Sequence, residues 1–226
     1  MQSYYSEKLS AQRLKRCYEI VPRRVQQYLD AEIQFVLKQL SRSFKVLELG
    51  CGYGRVLQKL VPETKEVIGI DTSRASLELA KTLLMGLPNV ELLQQNAVSL
   101  GFQRECFDVV IAIQNGLSAF KVDQHELLKE SLRVTRDGGN VVLSSYSENF
   151  WDERLEWFEL QAKEGLLGEI DWEETRNGTI VCKDGFRATT VSPTDFALLA
   201  ADLHVQASIE EVDNSSIFCT ITASHS

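Results

Sequence analysis

A glycine-rich loop is the part of the sequence with the clearest chemical meaning. It reads ELGCGYG over residues 48–54 and follows a run of strand-forming residues. Glycine lets a backbone turn tightly, and it lets a ligand approach without a Cβ in the way. A helix that begins beyond such a loop offers free N–H groups and the positive end of its dipole to a phosphate or a carboxylate. The loop therefore predicts a small-molecule binding site, unless its glycines only shape a turn.

An acidic residue follows this loop at an informative distance. Asp71 ends the next strand-like segment, 21 residues after Gly50. An acid in this place can accept hydrogen bonds from both ribose hydroxyls of an adenosine. The loop has the spacing G-x-G-x-G, with Arg55 where a dinucleotide-binding fingerprint has its third glycine. This spacing disfavours NAD and a nucleotide-dependent oxidoreductase, and it is compatible with another adenosine-containing ligand.

Alternating strand and helix patterns position these residues. Strands are predicted over Phe44–Leu49, Glu66–Ile70, Val90–Gln94, Phe107–Ile113 and Asn140–Ser145, with helices over Tyr53–Leu60, Ser73–Met85 and from Asp123 to about Val134. The fourth strand is an almost unbroken apolar run, which is typical of a strand buried on both faces of a parallel sheet. This rhythm predicts a doubly wound α/β sheet.

The two ends of the chain carry further elements. Apolar residues at helical spacing between Leu9 and Leu40 predict two helices separated at Pro22. Near the C-terminus, SPTD at residues 192–195 predicts a helix start, because serine caps, proline fits the first helical position and aspartate suits the positive end of the dipole. Beyond that helix, Leu203–Val212 and Ser216–Thr222 predict two strands that form a hairpin.

The segment from Trp151 to Thr190 extends the chain beyond a minimal α/β sheet. Its first part can form an amphipathic helix, and KDG at residues 183–185 is a credible turn between two short strands. We expect this insertion to lie over the mouth of the binding site and to close it together with the N-terminal helices. Tyr4 and Tyr5 belong either to that lid or to a frayed terminus.

Composition and charge limit the expected partners. The 226 residues include 24 basic and 32 acidic ones, and the resulting net charge of −8 disfavours nucleic acid. Five scattered cysteines and three histidines show no metal-ligand spacing, so we expect no metal and a reducing, cytoplasmic location. No apolar run approaches the roughly 20 residues of a membrane helix, and the start lacks the apolar core of a signal peptide. The sequence does not indicate an oligomeric state.

Motifs along the first two thirds of the chain resemble those of class I S-adenosylmethionine-dependent methyltransferases. VLELGCGYGRVLQKL is similar to their first motif, GIDTS to the second and NAVSLGF to the third, while FDVVIAIQNGLSAF and LRVTRDGGNVVLSSY are similar to the later ones. The match covers Lys45 to Tyr146, and the terminal hairpin resembles the antiparallel last strand of that fold. The resemblance implies a doubly wound, seven-stranded, mostly parallel Rossmann-like sheet with an antiparallel last strand. It also implies S-adenosyl-L-methionine as the cofactor.

The resemblance further implies a single methyltransferase domain over residues 1–226. Residues 1–42 are then an N-terminal helical lid, and residues 43–146 are the cofactor-binding core. Residues 147–190 are the insertion over the substrate mouth, and residues 191–226 are the C-terminal helix and strand hairpin. In related enzymes such an insertion forms part of a lid over a small metabolite, so the resemblance implies a small-molecule acceptor.

The first two motifs assign part of the cofactor site. Glu48 resembles the acid beneath the methionine part of the cofactor, and Gly50, Cys51 and Gly52 resemble the backbone wall beside it. Cys51 is expected to fill space rather than to act as a nucleophile. Asp71 corresponds to the acid that accepts hydrogen bonds from the ribose hydroxyls.

The other cofactor residues follow from the later motifs. Thr72 is expected beside the adenine ring, and Ala97 is expected to supply a backbone N–H to it. Asn96 stands where the family has an acid, and its amide oxygen can still accept a hydrogen bond from the adenine amino group. Gln114 lies where the family contacts the methionine end. Tyr18 lies where related small-molecule enzymes close over the cofactor.

The acceptor side carries no assigned catalytic residue. Methyl transfer from a sulfonium needs an acceptor held in line and water excluded, rather than covalent catalysis. The loops after the fourth and fifth strands give three candidate substrate residues, namely Asn115, Tyr146 and Trp151. Asn115 either orients an amine or carbonyl of the substrate or caps a turn. Tyr146 and Trp151 either face a cationic amine or an apolar ring, or they pack in the core.

These patterns predict methyl transfer from S-adenosyl-L-methionine to a nitrogen or oxygen nucleophile of a small molecule, by in-line displacement. In the family, Pro-Pro-Tyr or Pro-Pro-Phe at this place accompanies the methylation of nucleobases or glutamine amides. Neither follows Asn115, so these acceptors are disfavoured. The alternative is a non-catalytic protein that binds S-adenosylmethionine or S-adenosylhomocysteine as a sensor or as a partner subunit. Such a protein would leave the methyl group out of reach of an acceptor.

Overall fold

A seven-stranded β-sheet forms the centre of the protein in the computed structural model, which describes Tyr4 and residues 8–225. The strands are β1 (Lys45–Leu49), β2 (Glu66–Asp71), β3 (Val90–Gln94), β4 (Phe107–Ala112), β5 (Thr135–Tyr146), β6 (Ile180–Val181), β7 (Arg187–Ala188), β8 (Ala207–Val212) and β9 (Ser216–Thr222). The sheet order is β3-β2-β1-β4-β5-β9-β8, while β6 and β7 form a separate hairpin. Strands β1 to β5 pair in parallel, and β9 is antiparallel to both β5 and β8. The predicted doubly wound, mostly parallel fold is confirmed.

Helices cover both faces of this sheet. They are α1 (Ala11–Glu19), α2 (Arg23–Leu37), α3 (Leu57–Leu60), α4 (Arg74–Leu83), α5 (Gly116–Ala119), α6 (Gln124–Val134), α7 (Trp151–Lys163) and α8 (Pro193–Asp202). Side-chain caps fix the starts of three of them: Ser73 at α4, Asp123 at α6 and a Ser192–Asp195 capping box at α8. Within the described part of the chain, no helix combines the length and the apolar character needed to cross a bilayer.

The hydrophobic core has one layer on each side of the sheet. On one side, α6 and α8 bury Leu128 and Phe196 against the strands. On the other side, α2 and α4 bury Val36 and Leu77. Burial on both faces explains why β4 is almost continuously apolar. The strand order reverses between β1 and β4, and in such sheets a crevice opens at the carboxyl ends of the strands.

The N-terminal helices and the insertion cover that end of the sheet together. The indole Nε1 of Trp157 on α7 donates a hydrogen bond to the backbone carbonyl of Cys17 on α1, at 2.9 Å. The guanidinium of Arg13 donates to two carbonyls just beyond α7, at 2.7 and 2.8 Å. Tyr4 donates through its hydroxyl to a carboxylate oxygen of Asp184 in the β6–β7 turn, at 2.5 Å. Tyr5, the other tyrosine considered for the lid, lies outside the described residues.

The glycine loop is longer than predicted. A helix was expected over Tyr53–Leu60, but α3 begins only at Leu57. The reason is the backbone of Gly52 and Gly54, whose left-handed φ angles of +53° and +87° do not fit a right-handed helix. The chain therefore passes the end of β1 in successive turns, and a single helical turn follows.

The C-terminal hairpin is shorter than predicted. A strand was expected from Leu203, but β8 begins at Ala207. The end of α8 explains the difference, because His204 takes a left-handed φ of +56°. The N–H groups of His204 and Val205 donate to the carbonyls of Ala201 and Ala200, both at 3.0 Å, which closes the helix as in a Schellman motif.

Candidate functional site

A cavity of about 480 Å³ lies at the carboxyl ends of the central strands. This volume falls within the ~300–1,000 Å³ that is usual for small-molecule sites. Its lining includes all ten residues that the sequence assigned to the cofactor: Tyr18, Glu48, Gly50, Cys51, Gly52, Asp71, Thr72, Asn96, Ala97 and Gln114. Residues from five separate segments of the sequence thus meet around one space.

Gly50 is required by its surroundings. Its φ is +71°, and a Cβ placed on it would lie 2.3 Å from Cε1 of Phe120. A side chain at this position would therefore clash with an aromatic ring that itself lines the cavity. The absent Cβ lets the first turn of the loop and the Phe120 ring approach each other closely.

Asp71 links the loop to the next strand and still faces the cavity. One carboxylate oxygen accepts from the backbone N–H of Gly52 at 2.9 Å, and the other accepts from the N–H of Ser73 at 2.7 Å. Burial raises the pKa of Asp71, while these backbone N–H groups act in the opposite direction. Each oxygen keeps a further lone pair, so Asp71 can accept two more hydrogen bonds from a ligand.

Three buried polar atoms that have no hydrogen-bond partner among the described residues belong to side chains that line this cavity. They are Oε2 of Glu48, Nη2 of Arg55 and Nε2 of Gln114. Burial raises the pKa of Glu48 to about 8, and the nearby Arg55 guanidinium acts in the opposite direction. Buried polar groups are normally paired, so these atoms call for a ligand with matching groups. A carboxylate oxygen can bind an ammonium group, and the two NH₂ groups can bind a carboxylate.

Tyr18 brings α1 over the glycine loop. Its hydroxyl donates to Oε1 of Gln114 at 3.3 Å, and the Arg55 guanidinium lies 4.7 Å from the centre of its ring. The ring centre is also 5.7 Å from that of Trp157 on α7. Tyr18 therefore joins the loop, the end of β4 and the insertion in one cluster.

The other end of the cavity contains the residues predicted to surround adenine. Thr72 and Asn96 are exposed, whereas Ala97 is buried. The side-chain oxygen of Asn96 accepts from the N–H of Val98 at 3.2 Å, so a ligand amino group would share this oxygen with the turn. Phe120 also lines the cavity and was not singled out from the sequence.

The three substrate candidates lie in different surroundings, and two of them, Asn115 and Tyr146, line the cavity. The amide of Asn115 donates to the carbonyl of Thr189 at 2.8 Å and accepts from the hydroxyl of Ser145 at 2.9 Å. Its side chain does not cap α5 but fastens the insertion to β5, and one N–H and one lone pair of the amide are left over. Trp151 lies outside the cavity lining, and Tyr146 is buried within it. Later residues of α7 line the cavity instead.

Several functional candidates were missed at the sequence level. Arg55 was noted in the sequence only because it stands where a third glycine would be. Trp157, Phe158 and Gln161 on α7 were not named as site residues, yet all three line the cavity. Their position depends on how α7 packs. The sequence predicted an amphipathic helix here but did not indicate which of its residues face the cavity.

Glu32 on α2 was also missed, and it supports the site from behind. It is fully buried, and its carboxylate accepts from the backbone N–H of Gln114 at 3.0 Å and from the hydroxyl of Ser216 at 2.9 Å. Burial raises the pKa of Glu32 to about 7. Gln114 has a left-handed φ of +57°, so this carboxylate holds an unusual backbone turn. The signal in the sequence was an acid within the apolar stripe that contains Leu29 and Val36.

The sheet order, the antiparallel β9 and the glycine loop after β1 together define a methyltransferase type of Rossmann-like fold. Residues 46–139 match the family described as a methyltransferase domain. This match over the central part of the chain agrees with the class I S-adenosylmethionine-dependent methyltransferase superfamily that the motifs predicted.

Named relatives and a solved structure agree with this placement. The chain is 30% identical over 155 residues to the arsenite methyltransferase of Mus musculus, covering 62% of this chain and 38% of the relative. It is 38% identical over 132 residues to the demethylmenaquinone methyltransferase of Lactococcus lactis subsp. lactis, covering 55% of this chain and 52% of the relative. The chain thus spans about half or less of the length of these relatives. A solved S-adenosylmethionine-dependent methyltransferase from Methanosarcina mazei has a TM-score of 0.63 at 19% identity, covering 84% of this chain and 98% of the other, which shows a shared fold.

Proposed function

We propose that this protein transfers a methyl group from S-adenosyl-L-methionine to a nitrogen or oxygen atom of a small molecule, by in-line displacement. The observation that carries the proposal is the set of partnerless polar atoms on Glu48, Arg55 and Gln114, three residues that line one cavity in the described part of the chain. Together they complement the ammonium and the carboxylate of an amino acid. The methionine part of the cofactor has these two groups, so the residues fit it.

The rest of the cofactor finds matching groups in the same cavity. The two remaining lone pairs of the Asp71 carboxylate suit the ribose hydroxyls. Phe120 offers a ring, and Ala97 offers a buried wall, to the adenine. Asn96 and Thr72 complete this end, where Asn96 accepts a hydrogen bond from the adenine amino group.

Catalysis in this proposal depends on orientation and on the exclusion of water. When bound, S-adenosyl-L-methionine supplies a methyl group that its sulfonium charge already activates. The protein has to hold the acceptor in line with that group and to keep water out. Tyr18 on α1 and Trp157 on α7 cover the cavity, and the hydrogen bond from Trp157 to Cys17 holds the two helices together. We assign residues 1–42 and 147–190 to this lid.

A small acceptor is supported by size, by relatives and by charge. A covered cavity of about 480 Å³ suits a small molecule better than a macromolecule. The two relatives are named for arsenite and demethylmenaquinone, which are both small acceptors. The net charge of −8 disfavours a nucleic-acid substrate. All five cysteines are free, which supports a reducing, cytoplasmic location.

Formation of S-adenosylhomocysteine separates catalysis from binding alone. The protein is incubated with S-adenosylmethionine and a panel of phenols, amines and thiols, and the product is quantified by mass spectrometry beside a calorimetric titration of the cofactor. We expect formation that depends on an acceptor and that Asp71→Ala strongly reduces. Tight cofactor binding with no product from any acceptor would favour the alternative of a sensor or partner subunit.

A further inference from the structure

The α7 side of the cavity has a different chemical character from the glycine-loop side. Its walls are Trp157, Phe158 and Gln161 on α7, Tyr146 at the end of β5 and Ala188 on β7. Each of these residues is at least nine-tenths buried. The rings of Trp157 and Phe158 are 5.8 Å apart between centres and stand at 71° to each other. The donor of the Trp157 indole is used by the carbonyl of Cys17, which fixes the ring in place.

Charge is distributed unevenly around the cavity. Among the described residues that line it, the charged side chains are Glu48, Arg55, Asp71 and Arg74, and all four lie on β1, the glycine loop, the end of β2 or the start of α4. None of the α7-side walls is ionisable in the physiological range, since burial raises the pKa of Tyr146 to about 12. An acceptor bound there therefore meets no carboxylate from these walls.

A buried positive charge lies directly behind the same walls. The guanidinium of Arg154 is 4.3 Å from the centre of the Tyr146 ring and 5.6 Å from that of Phe158. Two of its nitrogens donate to the carbonyls of Gly178 and Ala188, at 2.9 and 3.0 Å. The positive charge of Arg154 lowers the pKa of the Tyr146 hydroxyl by more than the nearby Glu32 raises it. This field disfavours a cationic acceptor. An anionic acceptor would lose its hydration among these walls, and the two guanidinium nitrogens that donate to backbone carbonyls are already used.

Gln161 supplies the polar group on this side. Only 3% of the residue is exposed, and its side-chain amide makes no hydrogen bond to any other described residue. The amide of Asn115, by contrast, donates one hydrogen bond to the insertion and accepts one from β5. Gln161 lines the cavity, so its amide is available to a ligand there.

We propose that these residues form an acceptor site for an uncharged planar phenol, whose ring packs on Trp157 and Phe158 and whose hydroxyl binds the Gln161 amide; the inference rests on the proposed methyl transfer. In the reaction a lone pair of the phenol oxygen forms the new O–C bond. The C–S bond breaks, its electron pair goes to sulfur, and the phenolic proton passes to water. The acceptor becomes a methyl ether.

Three probes of the same shape test this site without any methyl transfer. They are 2-naphthol, 2-naphthoate and 2-naphthylmethylammonium, titrated by calorimetry into protein saturated with S-adenosylhomocysteine at pH 7.5. We expect 2-naphthol to bind at least tenfold more tightly than either charged probe. Equal or tighter binding of a charged probe would overturn the inference, and so would a failure of all three to bind.

Variants of Gln161 add a second readout. Gln161→Leu should weaken 2-naphthol at least fivefold and leave the affinity for S-adenosylhomocysteine within twofold. Gln161→Glu should shift the preference toward 2-naphthylmethylammonium, because it adds a carboxylate to the wall. Gln34→Leu, at an exposed glutamine of α2, is the matched control. If S-adenosylhomocysteine itself fails to bind, the proposed function fails. If it binds and Gln161→Leu leaves 2-naphthol unchanged, only the acceptor assignment fails.

Discussion

Glu32 should make the stability of this fold depend on pH, and Glu32→Gln should remove that dependence. Its carboxylate is fully buried on α2 and accepts hydrogen bonds from Gln114 and Ser216. Burial nevertheless dominates, because it raises the pKa from the ordinary value of 4.5 to about 7. The positive Arg55 guanidinium acts in the opposite direction without reversing the shift.

The sign of the effect follows from the two states of the chain. In the unfolded chain Glu32 loses its proton near pH 4.5, whereas in the folded protein it keeps the proton until about pH 7. The folded state therefore holds more protons between these pH values, and stability falls as pH rises through this range. Above the pKa of the folded state, the contribution of Glu32 to the free energy of unfolding is lost, and it does not change further with pH. At about 1.4 kcal/mol per pKa unit, the loss between pH 5 and pH 8 is about 2–3 kcal/mol.

Urea unfolding of wild type and Glu32→Gln at several pH values between 5 and 8 measures this contribution. Gln has nearly the same shape as Glu and cannot titrate. The free energy of unfolding of Glu32→Gln, relative to that of wild type, should therefore rise by about 2–3 kcal/mol as the pH increases over this range. The control is Asp30→Asn, an exposed carboxylate on the same helix, whose difference from wild type should stay nearly constant. Parallel pH curves for wild type and Glu32→Gln would refute the assignment of a raised pKa to this carboxyl.

Two further predictions concern the loop and its cover. Gly50→Ala should destabilise the protein by about 1–3 kcal/mol more than the control Gly138→Ala. Both glycines have a φ of +71°, but only a Cβ at Gly50 would meet Phe120. Equal melting temperatures for the two variants would contradict this. Trp157→Phe should lower the free energy of unfolding in urea by about 1–3 kcal/mol, because it leaves a buried carbonyl of α1 unpaired. The control Trp172→Phe, at an exposed tryptophan, should leave it unchanged. Similar losses of stability in both variants would count against the hydrogen bond between the two helices.

The parts of the fold that depend on local patterns were predictable from the sequence. The apolar run of β4 and the SPTD helix start each determine their structure within a few residues, so both were identified correctly. The glycine loop was located correctly, but its turns were mistaken for a helix. Helical spacing around Tyr53 gives no information on the left-handed backbone of Gly54, which decides where the helix begins.

The parts of the site that depend on packing were not predictable. Gln161 is a cavity residue because of how α7 packs, and α7 is held by a hydrogen bond to α1, 140 positions earlier in the chain. Glu32 acts through a backbone N–H at the end of β4, which no spacing along the sequence connects to α2. The hydrogen bond from the Asn115 amide to Thr189 also involves a segment that is close only in the folded protein.

The most direct test of the central claim is a calorimetric titration with S-adenosylmethionine, S-adenosylhomocysteine and NAD. It uses wild type, Asp71→Ala and the exposed control Asp30→Asn. We predict micromolar binding of the first two ligands to wild type and to the control, and no binding of NAD. Asp71→Ala should weaken S-adenosylmethionine by about 10- to 100-fold, because hydrogen bonds to a charged acceptor contribute roughly 1.5–3 kcal/mol. Binding of NAD alone, or an unchanged affinity in folded Asp71→Ala, would contradict the account.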